Sequence, residues 1–169
     1  MEYLSGFDEK KALEYIAEAV TVARGATCLR SKCGSVIVYS DEIIGRGFNS
    51  PPRDVEGQRR CSYSKDVYDI KVTDKTCCVH AEQRAIMDAL KNNPEKLVGS
   101  RLYFIRLDDS DEPSRAGAPY CTICSKMALD VGISEFVLFH DKGVCVYDTK
   151  EYNDFSFNFN SGMGMSAGK

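Results

Sequence analysis

Only Asp141-Lys142-Gly143 separates two apolar runs that read as strands, 134–140 and 144–148. Three residues can turn a hairpin, but a parallel crossover needs about a dozen or more. The chain therefore carries an antiparallel pair near its end, and that pair limits what the preceding segments can build. Residues 35–39 and 43–49, joined by a short polar turn, read as an earlier hairpin. Pro51-Pro52 closes it, since proline cannot continue a central strand. One further strand pattern, 101–107, lies between the two hairpins. Apolar residues at helical spacing mark three segments. Residues 8–24 place Ala12, Ile16, Ala19, Val20 and Ala23 on one face, and residues 79–92 do the same with Ala81, Ala85, Ile86, Ala89 and Leu90. The third is 121–131. Asp8 is placed to cap the first helix and Gly25 to stop it, while Gly132 can supply a left-handed cap to the third. The order α-β-β-α-β-α-β-β predicts a five-stranded sheet with helices on its faces. Residues 51–76 are charged and aperiodic and read as an inserted loop with room for one short helix. Residues 108–118 read as a loop rich in Asp, Ser, Gly and Pro. One domain is expected over residues 1–160, with a disordered tail of Gly, Met and Ser from Ser161.

The chain has 169 residues, 43% of them hydrophobic, which suits one real core. A net charge of −3 and a pI near 5.5 argue against bulk electrostatic binding of nucleic acid. No run approaches the roughly 18 apolar residues of a membrane span. The first ten residues lack the basic-then-apolar order of a secretory signal, so a cytoplasmic location is expected. Eight cysteines is a high count. Without an export signal, metal ligation or buried thiols are favoured over disulfides.

Two segments concentrate the chemistry: Cys77-Cys78-Val79-His80-Ala81-Glu82 and Pro119-Tyr120-Cys121-Thr122-Ile123-Cys124. Hydrolytic removal of an aromatic amine needs water made nucleophilic near neutral pH, a protonated ring nitrogen and an amine that leaves as ammonia. Zinc on three protein ligands keeps a fourth position for water and lowers its pKa towards about 7. A carboxylate beside that water, off the metal, can carry the protons. Cys121 and Cys124 open a helical pattern at a spacing that lets both sulfurs face one ion, and the helix N-terminus favours thiolates. His80 offers a nitrogen at the head of another helix. Glu82, two residues on, points elsewhere and can address the water. His-x-Glu followed by Pro-Cys-x-x-Cys is a recognised zinc deaminase pattern. Here Tyr120 separates Pro119 from Cys121, which leaves both ligand spacings intact and alters the pocket wall. A structural zinc with an idle Glu82, in a non-enzymatic binding module, is the bland alternative. His140 reads as a surface residue.

Residues 8–148 resemble the cytidine deaminase-like superfamily, which includes cytidine, deoxycytidylate and transfer-RNA adenosine deaminases. The resemblance implies an α/β protein with a three-layer α-β-α fold, its five-stranded mixed sheet ending in an antiparallel hairpin. It implies zinc on His80, Cys121 and Cys124, with Glu82 as proton shuttle. Gly47-Phe48-Asn49 resembles a strand-end motif whose Asn contacts sugar or base, so Asn49 is a binding candidate, and Ala81 would offer its backbone amide to the base carbonyl. Phe48 and Tyr120 could stack on the base. Arg115, or one of Arg53, Arg59, Arg60 and Lys65, could hold a phosphate bidentately. As in some deoxycytidylate deaminases, a second, structural zinc could sit among Cys61, Cys77 and Cys78 with Cys28 or Cys33, although free cysteines are commonly just buried. The final hairpin resembles the free-cytidine branch, while Gly45-Arg-Gly-Phe-Asn49 and the insertion resemble the deoxycytidylate branch. The expected substrate is therefore a cytosine nucleoside or nucleotide, with transfer-RNA adenosine or single-stranded cytosine as the alternative. Homo-oligomers are usual in the superfamily, and one is expected here.

Overall fold

A computed structural model describes residues 1–72 and 74–159, so the tail from Ser161 lies outside the described residues. One mixed sheet forms the middle layer. Its strands are β1 (Glu2–Tyr3), β2 (Cys33–Tyr39), β3 (Glu42–Phe48), β4 (Arg101–Leu107), β5 (Pro113–Ser114), β6 (Glu135–His140) and β7 (Gly143–Asp148). They lie in the order β1-β7-β6-β4-β2-β3, with β5 beside β4. The helices are α1 (Gly6–Ala23), α2 (Ala81–Asn92), α3 (Thr122–Asp130) and α4 (Thr149–Phe157). β6 runs parallel to β4 and antiparallel to β7, as the three-residue connection demands. The turn from β2 to β3 uses Ser40 at φ 47° and Asp41 at φ 67°, the left-handed pair that suits the twist of a two-residue hairpin.

Three expectations need correction. Among the described residues the sheet has seven strands where five were expected. The additions, β1 and β5, are two residues each, too short to leave an alternation in the sequence. α1 starts at Gly6 with Ser5 at the cap position, so Asp8 sits in the first turn, where its charge still favours the helix terminus. α4 was not expected because only Tyr152 and Phe155 give it an apolar face. Its start is nevertheless written in Asp148, whose carboxylate accepts from the N–H groups of Lys150 and Glu151. Gly132 does adopt the left-handed conformation expected of it, at φ +83°.

The core divides between the two faces of the sheet. On one, Val36, Val38, Tyr103, Ile105, Val137 and Val146 bury Ala12, Ile16, Ala19, Val20 and Ala23 of α1. On the other, Ile37, Leu102, Phe136 and Leu138 pack with Ala85, Ile86 and Ala89 of α2, Ala128 of α3 and Tyr152 of α4. β2 thus buries Val36, Ile37 and Val38 in a row, the mark of a central strand covered on both sides. Tyr152 stacks on Phe136, with centroids 3.8 Å apart and planes 11° from parallel, which anchors α4 beside α3. Close backbone approaches set the layer spacing. A Cβ on Gly34 would fall 2.2 Å from the Ala19 carbonyl oxygen of α1, and one on Gly47 would fall 2.3 Å from the Ala81 carbonyl oxygen of α2. The helices sit this close because those positions have no side chain.

Candidate active site

α2 and α3 bring their N-terminal ends together. His80 is the cap residue of α2 and Cys121 that of α3. The His80 backbone N–H donates to Gln83 Oε1 at 3.0 Å, which fixes the start of α2. His80 Nδ1 lies 3.2 Å from Cys124 Sγ and 3.4 Å from Cys121 Sγ. All three donor atoms are within 4.8 Å of one another. A tetrahedral zinc with Zn–S of about 2.3 Å and Zn–N of about 2.0 Å would separate neighbouring sulfur and nitrogen by about 3.5 Å, so the donor set fits that ion. The electrostatics agree. The hydrogen bond from Cys124 brings the Cys121 thiol down to about 4 against the opposing effect of burial, with His80 assisting. The same hydrogen bond, together with burial, pushes Cys124 far up. Two thiols here share one proton, and a dication is what would allow both to be thiolates.

Glu82 stands beside this trio, 6% exposed. Burial pushes its carboxyl up and the neighbouring His80 pulls it down. A cavity of about 370 Å³ opens against it. Ala81, Asn49, Tyr120 and Arg115, four of the candidate binding residues, line this cavity. Asn49 is held at the end of β3 with its amide engaged: Oδ1 accepts from the Cys33 N–H at 2.8 Å and Nδ2 donates to the Ser31 carbonyl at 2.8 Å. Phe48 does not line the cavity. Strand alternation turns Gly47 towards α2, so the Phe48 ring lies on the other side, against Gly25 and under the Arg84 guanidinium at 5.8 Å.

Four cations line the cavity: Arg30, Lys65, Arg106 and Arg115. Lys65 and Arg115 were candidates, whereas Arg30 and Arg106 were missed. Arg106 could have been suspected as an exposed charge that follows the apolar run Leu102-Tyr103-Phe104-Ile105. Arg53 and Arg59 stay away from the cavity, and Arg59 binds Glu56 and the Thr27 carbonyl. His140 is not a simple surface residue. Its Nε2 lies 2.9 Å from the Tyr147 hydroxyl and its Nδ1 2.9 Å from the Ala116 carbonyl oxygen, which secures the loop that forms the cavity wall. Arg115, 3.5 Å above the Phe139 ring, secures the same loop. Tyr152, on the unforeseen α4, completes the wall. Cys33 also faces this cavity rather than joining the other cysteines, and burial pushes its thiol up to about 12.

A mixed sheet that presents one imidazole, two thiols and a buried carboxylate at two helix N-termini defines a zinc-dependent hydrolytic deaminase, acting on the C–N bond of a nucleobase amino group. Residues 9–140 match the family described as the cytidine and deoxycytidylate deaminase zinc-binding region, and the chain belongs to that family. The deoxycytidylate deaminase of Mycobacterium phage D29 is 28% identical over 129 residues, which is 73% of this chain and 89% of the relative. Among solved structures, the dCMP deaminase of cyanophage S-TIM5 in complex with dCMP and dUMP aligns with a TM-score of 0.53 at 23% identity, over 79% of this chain and 82% of that one. Cytidine deaminase from Burkholderia pseudomallei aligns with a TM-score of 0.54 at 16% identity, over 83% and 94% of the two chains. Among the described residues no helix is long and apolar enough to cross a membrane.

Proposed function

We propose that the chain deaminates a free cytosine nucleotide, dCMP in first place, to the uracil nucleotide and ammonia. The observation that carries this reading is the cavity itself: a buried Glu82 beside the three donor atoms at one end, and Arg30, Lys65, Arg106 and Arg115 around the rest. Four cations in so small a space suit an anionic substrate better than a nucleoside. The acidic chain as a whole gives a polynucleotide no comparable footing. The phage relative named as a deoxycytidylate deaminase supports the same choice.

His80, Cys121 and Cys124 hold the zinc, which when bound supplies a Lewis acid that makes water nucleophilic near neutral pH. Glu82 accepts a proton from the attacking water and delivers it to the ring nitrogen beside the amino-bearing carbon. It then passes the second proton to the exocyclic amine, the C–N bond breaks and ammonia leaves. Burial suits Glu82 to this double role, because desolvation pushes its carboxyl up and makes the carboxylate a stronger base for the proton of the attacking water. Ala81, at the first position of α2, directs its amide towards the base carbonyl, and Tyr120 and Asn49 flank base and sugar. Arg115 binds the phosphate together with the other rim cations. A homo-oligomer in the cytoplasm completes the reading.

Ammonia release from dCMP, CMP, deoxycytidine, cytidine, adenosine nucleotides and single-stranded oligonucleotides tests it. dCMP should exceed deoxycytidine in kcat/KM by roughly 10-fold or more, the worth of a charge-assisted hydrogen bond. Equal rates on nucleoside and nucleotide, or faster turnover of an oligonucleotide, would refute the substrate assignment while leaving the deaminase class intact.

A further inference from the structure

α4 places in the catalytic cavity a polar group that the chemistry above does not use. Tyr152 is 5% exposed and lines that cavity. Its ring lies flat on Phe136 and meets Tyr147 nearly at right angles. Among the described residues its hydroxyl has no hydrogen-bond partner, and the charges that act on it most strongly are those of Glu82, Cys124 and Cys121. The phenol therefore points to the end of the cavity where the reaction takes place, and it faces Glu82 without touching it. We propose that the Tyr152 hydroxyl accepts a hydrogen bond from the exocyclic amino group of the substrate and holds that nitrogen while it gains its proton and leaves as ammonia.

Three observations carry the assignment. The first is the unpaired oxygen itself. A hydroxyl withdrawn from water without a partner is costly, and buried polar groups are nearly always satisfied. The amino group sits on the ring carbon that the water attacks, so it is the N–H donor that a substrate brings to this end of the cavity. The second is rigidity. Ser125, the neighbour of Cys124, donates its hydroxyl to Asn153 Oδ1 at 2.9 Å, which ties the turn of α4 that carries Tyr152 to the turn of α3 that carries the thiols. Asp148 caps the start of α4, and the Tyr152 carbonyl accepts from Ser156 Oγ at 2.9 Å. An oxygen held by a ring stack, a cap and a cross-helix hydrogen bond is in place before substrate arrives, so little ordering remains to be done during reaction. The third is charge. Burial and the neighbouring Glu82 hold the phenol well above its ordinary range, so it stays neutral and offers a lone pair. Glu82 delivers the second proton to the amine, the C–N bond breaks with its electron pair passing to nitrogen, and ammonia departs. Tyr152 keeps its own proton throughout. The nitrogen becomes positive as it is protonated, so its hydrogen bond to the phenol oxygen is stronger then than in the bound substrate. That difference is what accelerates the step.

The role rests on the deaminase chemistry above, and the choice of dCMP enters only through the probe. Tyr152→Phe keeps the ring on Phe136 and removes the oxygen alone. Turnover is measured on whichever compound of the panel above releases ammonia fastest from the wild type, beside Tm and zinc content. The variant should lose roughly 10-fold or more in kcat, the worth of a hydrogen bond to a charged group, with KM, Tm and zinc content little changed. The second measurement is binding rather than turnover. Its probe is the same compound with hydrogen in place of the amino group, which for dCMP is the deoxynucleotide of pyrimidin-2-one. Wild type and Tyr152→Phe should bind this probe within about twofold of each other, because it offers the phenol no N–H. Undiminished kcat in the variant overturns the proposal. Probe binding that weakens in step with kcat also overturns it, since the hydroxyl would then only shape the cavity wall. A fall in Tm or zinc content that accounts for the lost turnover does the same. Wild-type protein that deaminates another compound and leaves dCMP untouched refutes the substrate reading alone, and ammonia from no compound of the panel refutes both.

Discussion

Gly47→Ala tests how tightly catalysis depends on the seating of α2. The new methyl would lie 2.3 Å from both the Ala81 carbonyl oxygen and the Ala85 nitrogen, and 2.7 Å from the Arg84 Cβ. That is roughly 1 Å short of ordinary contact with two backbone atoms, which cannot rotate away as a side-chain end can. Either β3 or the first turn of α2 must move by about that distance. Overpacking of this kind costs about 1–3 kcal/mol, and for a chain of this size each kcal/mol lowers Tm by roughly 2–4 °C. The catalytic effect should be larger than the stability effect. The displaced turn carries His80 and Glu82, and a misplacement of about 1 Å can cost about 100-fold in rate. Gly45→Ala is the comparison, because its methyl meets the Ala85 oxygen at 2.4 Å, a turn further from the site. It should lose similar stability and much less turnover. Gly57→Ala, where a Cβ meets nothing within 4 Å, is the control. Melting curves, zinc content and deamination rates are measured for all three. If Gly47→Ala keeps its Tm and more than half of wild-type turnover, the close approach does not position the site and the reasoning fails.

Glu82→Gln should leave zinc bound and the fold intact while lowering turnover by about 10²–10⁴-fold, since the amide keeps the shape but carries no proton; retention of more than a tenth of the activity would exclude the shuttle. Arg115→Ala should raise the KM for dCMP roughly 10-fold or more and leave deoxycytidine turnover within about twofold, whereas equal losses on both substrates would mean that Arg115 acts only by bracing the loop over Phe139. Tyr152→Ala removes the ring stacked on Phe136 and should cost about 3–5 kcal/mol in a denaturant titration; a loss under about 1 kcal/mol would mean that α4 packs independently of that stack. Removal of the metal with a strong chelator should abolish turnover and added zinc should restore it, with activity in the absence of zinc counting against the assignment of His80, Cys121 and Cys124.

Much of this protein is written locally. The three-residue turn at Asp141-Lys142-Gly143 dictates the antiparallel pairing of β6 with β7, and the 3.6-residue recurrence of alanines in α1 and α2 dictates which faces are buried. His80, Glu82, Cys121 and Cys124 were legible because the chemistry requires those residue types at those spacings, each at the head of a helix. Other features could not be read in this way, because they depend on residues far apart in the chain. β1 and β5 have no pattern of their own and exist only because β7 and β4 offer them an edge. The rim cations Arg30 and Arg106 are 76 positions apart and share a wall only once the sheet is assembled. Phe48 was assigned to the base by its neighbourhood in sequence, and strand alternation turned it to the opposite side. Cys28 was separated from Cys33 in the same manner, one meeting Cys61 and Cys78 and the other facing the substrate cavity. Spacing along one element determines which side chains share its face, but which faces meet is decided by the packing of the whole sheet between its helices.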